Sequence, residues 1–150
     1  MTSELDVDEM TEWLTALDGV RQDPRYHPEG DALFHSLQVF EHALRDDAEP
    51  ELLAAALFHD VGKAVSGPDH DRIGAEMLVG WPERTVWAVA HHLDLLRHPR
   101  RTRSRLDPVR LRDLQVLRRW DLAGRDPRAR VREPEECVAI VAEAMLGARG

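Results

Sequence analysis

Apolar residues recur at helical spacing along the whole chain. Met10, Trp13, Leu14 and Leu17 predict a first amphipathic helix over about 8–17, closed by Gly19. Asp23-Pro24 and His27-Pro28-Glu29-Gly30 predict an irregular connection. Asp31 can N-cap a second helix with the stripe Leu33, Leu37, Phe40 and Leu44, while His35, Val39 and His42 share a neighbouring stripe. Pro50 opens a third helix that is apolar on every side from Leu52 to Phe58, which predicts central burial. It closes on His59-Asp60-Val61-Gly62-Lys63, with Gly62 expected just past the helix end. A fourth helix is predicted from Ser66 or Asp69 through Ile73, Met77 and Leu78. A fifth starts at Pro82, with Val86, Val89, Ala90 and Leu93 inward. A sixth runs from Pro108 to near Gly124, with Leu111, Leu114, Val116 and Leu117 inward, and a seventh runs from Pro134 through Cys137 to Leu146. No alternating strand pattern, hairpin signal or repeat interrupts this reading. The prediction is an all-α, single-domain bundle of six to seven helices, with Trp81, Trp87 and Trp120 in its core.

Composition narrows the class. At 150 residues and 43% apolar, the chain can bury a core without disulfides or a structural metal. Cys137 is the only cysteine, so intramolecular disulfides and thiolate zinc sites are excluded, and a reducing cytoplasm is the expected location. No apolar run approaches the roughly 20 residues of a membrane span, and the acidic first residues have neither signal nor transit character. The net charge of −8 disfavours strong duplex DNA binding. That charge is uneven: residues 1–90 hold 19 acidic against 6 basic side chains, and residues 91–150 hold 9 against 14. Arg97, Arg100, Arg101, Arg103 and Arg105 mark the basic peak. Two readings stay open for that segment, a solvated connection and a guide for a phosphate-rich ligand.

Eight histidines beside a single lysine, Lys63, need an explanation. The dipeptide His-Asp occurs twice, at His59-Asp60 and His70-Asp71, so it decides nothing alone. Context separates the two. His59-Asp60 ends the most apolar helix, where a carboxylate is costly unless paired or bound to a cation, and where the helix terminus itself favours a cation. His35, His70, His91, His92 and Asp121 fall on four further predicted helices, and an antiparallel array can bring them to one point. His27, His42 and His98 are read as surface or structural histidines. Glu29, six residues before His35, is a candidate for supporting a ligand or orienting water.

At this order and spacing the sequence resembles the HD-domain metal-dependent phosphohydrolases. The resemblance rests on His35, His59-Asp60, His70, His91-His92, Asp121 and the stretch His59-Asp60-Val61-Gly62-Lys63. "YHPEGDALFHSLQVFEHA" (residues 26–43), "AALFHDVGKA" and "DHDRIGAEML" look most like the C-terminal HD domain of bacterial CCA-adding tRNA nucleotidyltransferases. Nothing here resembles the nucleotidyltransferase head, so a free-standing HD domain with a core over about 26–125 is expected. The resemblance implies one divalent ion, Mn, Ni, Co, Fe or Zn, on His35, His59, Asp60 and Asp121. In two-metal members Asp60 bridges and His70, His91 and His92 hold a second ion; in single-metal members those histidines contact the phosphate. His91 is placed slightly ahead of His92. Imidazole and carboxylate donors suit these ions, whose charge acidifies water and polarises a phosphoryl oxygen. Lys63 and Arg125 are expected on the phosphate, and His70 or His91 is expected to protonate the leaving alkoxide.

The function implied is hydrolysis of nucleotide or RNA-end phosphoesters, as a 2′,3′-cyclic phosphodiesterase and 2′-nucleotidase or phosphatase. A nucleoside monophosphatase is the nearest alternative. A di-iron oxygenase on the same ligand arrangement and a non-catalytic nucleotide-binding module are alternatives of other classes. No Gly-Tyr-Pro follows His91-His92, which argues against a cyclic-dinucleotide phosphodiesterase.

Overall fold

Three aspartates start helices where their side chains can accept an otherwise unpaired backbone N–H. Asp6 accepts from Glu9 N at 3.0 Å, Asp31 from Phe34 N at 2.9 Å and Asp107 from Arg110 N at 2.9 Å. The structure, a computed structural model, describes residues 5–149. Among these residues the elements are α1 (Val7–Thr15), α2 (Ala32–Arg45), α3 (Pro50–Phe58), a 3-10 turn (Val61–Ala64), α4 (His70–Met77), α5 (Glu83–His91), α6 (Asp94–Arg97), α7 (Pro99–Arg105), α8 (Pro108–Ala123) and α9 (Pro134–Arg149). The fold is all-α, and no strand occurs among the described residues.

All seven predicted helices are present. The addition lies in the arginine-rich segment, which forms α6 and α7 and brings the count to nine. Pro99, at the first position of α7, restarts the helix, arginine is a good helix former, and Thr102 is buried with its hydroxyl on the His98 and Asp94 carbonyls. Arg97 ties α6 to the start of α4, donating to Asp71 at 2.9 Å and to the Pro68 carbonyl at 3.2 Å.

The core is centred on α3. Every residue from Leu52 to Phe58 is buried, and the helix packs against α2, α5, α8 and α9. Phe58 meets Trp13 and Trp81 edge to face at 5.5 Å each. Trp120 is buried with its indole N–H on Asp46 at 2.7 Å, whereas Trp87 is only half-buried and stacks on His91.

Two local expectations need correction. Gly62 does not end α3 in a left-handed conformation; His59 caps that helix, and Gly62 lies inside the 3-10 turn. Its role is close approach, because an added Cβ would stand 2.1 Å from the His70 carbonyl oxygen. The inward face of α5 is also rotated from the predicted one. Thr85, Ala88 and Val89 are buried, while Val86 and Ala90 are half-buried. Thr85 tolerates burial because its hydroxyl donates to the Glu51 carbonyl of α3 at 2.8 Å.

Cys137 is fully buried in α9, and burial pushes its thiol up to about 12. Native protein is therefore expected to leave Ellman's reagent unreacted at pH 8, with one thiol appearing only on unfolding. Rapid reaction of the folded protein would contradict this packing.

Candidate metal centre

The carboxylate of Asp60 sits in the turn after α3, where it is 3% exposed and surrounded by imidazole nitrogens. Its Oδ2 lies 3.6 Å from His35 Nε2 and 3.2 Å from His59 Nε2; its Oδ1 lies 3.3 Å from His70 Nε2 and 3.5 Å from His92 Nε2. Asp121, one turn from the end of α8, completes one side, with Oδ1 2.8 Å from His35 Nε2 and 3.9 Å from His59 Nε2. The donor atoms of His35, His59 and Asp121 all lie within 4.8 Å of one another, as do those of Asp60, His70 and His92. Side chains from α2, α4 and α8 and from the ends of α3 and α5 thus converge on one cluster.

The backbone sets the tautomers. His59, His70 and His92 each donate Nδ1–H to the carbonyl three residues earlier, on Ala56 at 2.8 Å, Gly67 at 2.6 Å and Val89 at 2.7 Å. His35 Nδ1–H points to the Gly124 carbonyl and to Glu29 Oε2, both at 2.8 Å. With every Nδ1 committed as a donor, every Nε2 is turned inward. His59 Nε2 is buried and makes no hydrogen bond. A cation on that lone pair would remove the cost of leaving it unpaired. Imidazole nitrogens with carboxylate oxygens suit a divalent transition metal, so the residues fit such an ion.

The electrostatics agree. Burial pushes Asp60 up, but the charges of His59 and Lys63 beside it hold it well below the usual carboxylate range. Asp121 is likewise held low against burial by His35 and His59. Burial disfavours a charged His35, yet its bonds to Asp121 and Glu29 and the Asp60 charge raise it to about 9.

Lys63 donates from Nζ to Gln22 Oε1 at 2.6 Å and lies 3.2 Å from Asp60 Oδ2. Arg125 donates to the Tyr26 carbonyl at 2.9 Å, with an amine 3.6 Å from Asp121. Both line a cavity of about 750 Å³ beside the cluster, together with Gln22, Tyr26, His27 and Arg118.

Of the residues singled out by sequence, His35, His59, Asp60, His70, His92 and Asp121 converge, with Lys63 and Arg125 at the rim. His91 does not. Its ring stacks on Trp87 at 4.7 Å, donates Nδ1–H to Asp94 at 2.8 Å and lines a separate apolar cavity with Trp81 and Val79. The preference for His91 over His92 is therefore reversed. Consecutive helix residues point about 100° apart, and the packing of α5 through Thr85, Ala88 and Val89 turns His92 inward. Sequence reasoning also set aside His27, which reaches the cluster through Glu29, and did not consider Arg118, whose guanidinium lies 3.9 Å from Asp121. The stripe Thr85, Ala88, Val89, His92 was a usable signal for the first correction. Nothing local marked Arg118.

Among the described residues, clusters of His and Asp side chains lie at the centre of an all-helical array, and a family model described as HD domain matches residues 33–144. The chain belongs to the HD domain family, a superfamily of metal-dependent phosphohydrolases. It is similar to the multifunctional CCA protein of Methylococcus capsulatus, with 45% identity over 63 residues, 37% of this chain and 15% of that protein. The corresponding protein of Hahella chejuensis is 38% identical over 78 residues (47% and 18%), and that of Acinetobacter baumannii 26% over 128 (61% and 31%). The chain thus spans less than a third of the length of these relatives. No helix among the described residues is long and apolar enough to cross a membrane.

Proposed function

We propose that this protein hydrolyses phosphoesters of nucleotides or RNA ends, acting as a 2′,3′-cyclic phosphodiesterase and a 2′-nucleotidase. The observation that carries this reading is the inward set of four Nε2 atoms around Asp60, beside a cavity walled by Lys63, Arg118 and Arg125. Similarity to the HD part of CCA proteins supports the choice of ester.

His35, His59, Asp60 and Asp121 would hold one ion, and Asp60, His70 and His92 a second. Bound there, a divalent cation supplies Lewis-acid charge to a phosphoryl oxygen and acidifies water near neutral pH. Lys63 and Arg125 bind the remaining phosphoryl oxygens, Lys63 as a point charge and Arg125 through its fork. Where a single ion is held, His70 and His92, whose Nε2 atoms are 3.2 Å apart, would instead contact the phosphate, and one of them would protonate the leaving alkoxide. Tyr26, 60% exposed at the cavity mouth, offers a ring to a nucleobase.

The test is phosphate release from 2′,3′-cyclic AMP, 2′-AMP, 3′-AMP and 5′-AMP with Mn, Co, Ni or Zn, run with and without oxygen. Anaerobic release from the cyclic and 2′ esters is expected. Release from 5′-AMP alone would replace the reading with a nucleoside monophosphatase, and oxygen uptake without phosphate release would replace it with an oxygenase. In the same assay His92→Ala is expected to lose about 10²-fold in turnover, while His91→Ala stays near wild type. The opposite ranking would discard the geometry of α5.

A further inference from the structure

Glu29, a candidate from the sequence for supporting a ligand or orienting water, has a wholly buried side chain. Its Oε2 lies 2.8 Å from His35 Nδ1, whose hydrogen bond to the Gly124 carbonyl has the same length, and accepts Nδ1–H from His27 at 3.0 Å; its Oε1 has no hydrogen-bond partner. The other inward imidazoles are backed by neutral carbonyls, which orient a ring and set its tautomer without adding charge. His35 alone has a carboxylate behind it. Such a partner raises the basicity of the opposite nitrogen and compensates the charge of an ion bound there.

The two halves of the cluster differ in their own acids as well. Asp121 faces only His35 and His59, whereas His70 and His92 face a single oxygen of Asp60, which both halves share. Lys63, Arg118 and Arg125 stand 3.2, 3.9 and 3.6 Å from these aspartates and offset part of that charge. Among the described residues, neither a lysine nor an arginine pairs with Glu29; its ion-pair partners are His27 and His35, the second of which faces the cluster.

We propose that Glu29 is a positioning residue that makes the two metal subsites unequal. It strengthens the ion held by His35, His59, Asp60 and Asp121, and leaves the one at Asp60, His70 and His92 weak and exchangeable. The inference rests on the metal-dependent reading above. It makes the first ion resident and the second dependent on free metal concentration.

Chelator-stripped full-length protein titrated with Mn²⁺ alone, with free Mn²⁺ read by its paramagnetic resonance signal, tests this. Wild type is expected to take up one ion tightly and a second at least about tenfold more weakly. Glu29→Gln, which keeps shape and loses charge, is expected to raise the tight Kd about 10–100-fold and leave the weak one unchanged. His92→Ala is expected to lose the weak ion and keep the tight one. A folded Glu29→Gln with an unchanged tight Kd, or a His92→Ala that loses the tight ion, would overturn the proposal. So would two ions of equal affinity in wild type, which leaves the phosphohydrolase reading standing. No Mn²⁺ uptake by wild type would end both. Should Glu29→Gln not fold, the His92→Ala and wild-type titrations still decide.

Discussion

Asp60→Ala is expected to abolish stoichiometric divalent-metal uptake and to lower phosphoester turnover roughly 10³-fold, about 4 kcal/mol of transition-state stabilisation. The size follows from position. Asp60 is the one side chain whose two oxygens face both halves of the cluster, Oδ2 toward His35 and His59 and Oδ1 toward His70 and His92. Its removal takes a ligand from both subsites and leaves Lys63 with Gln22 as its remaining partner. Asp60→Asn tests charge separately from shape: the amide can fill the space but brings no negative charge to the four imidazoles. Bound metal by mass spectrometry, turnover, and far-ultraviolet circular dichroism for retained helix are the measurements. A folded Asp60→Ala protein with wild-type turnover would remove the metal mechanism.

The largest effect on stability is expected at Gly62, with Gly62→Ala costing about 3 kcal/mol through overpacking. For a chain of this size that corresponds to a fall in Tm of roughly 6–12 °C. The added methyl would lie 2.1 Å from the His70 carbonyl oxygen and 2.8 Å from the Gly74 backbone nitrogen, so backbone has to move. The element that moves is α4, whose first residue is His70, so metal affinity at the Asp60–His70–His92 subsite should fall with stability. Gly67→Ala is the control. Nothing lies within 4 Å of a Cβ there, and a change within about 0.5 kcal/mol is expected. Equal melting temperatures for Gly62→Ala and wild type would contradict the contact between the 3-10 turn and α4.

Most of the site was legible because its ligands are tied to local features that also end or start helices. His59 and Asp60 follow the apolar α3 directly, His70 opens α4, and Asp121 sits one turn before Gly124, so spacing alone brought them into consideration. The stripe reading of α2 placed His35 on a side adjacent to the Leu37–Phe40 face, and it is fully buried there. The reading of α5 named only the apolar residues Val86, Val89, Ala90 and Leu93 as inward and so left out Thr85. A threonine hydroxyl with a carbonyl to donate to can enter a core, and that single satisfied group shifts the buried face by about one residue. His27 was read as a surface or structural histidine. Its link to the cluster runs through Glu29, in an irregular connection whose path no periodicity describes.

The sequence by itself determined the all-α class, the seven main helices and their aspartate and proline starts, which depend on caps and periodicity within a few residues; the roles expected of His35, His59, Asp60, His70 and Asp121 came from their order along the chain and the resemblance to HD domains. Tertiary structure decided the rest: that His92 and not His91 faces Asp60, that Gly62 serves a helix contact rather than a helix end, that Glu29 stands behind His35, and that Arg118 borders Asp121. Each of these is a contact between segments distant in sequence, set by how one helix is rotated and seated against another. A rotation of 100° exchanges neighbouring side chains without changing the helix that carries them.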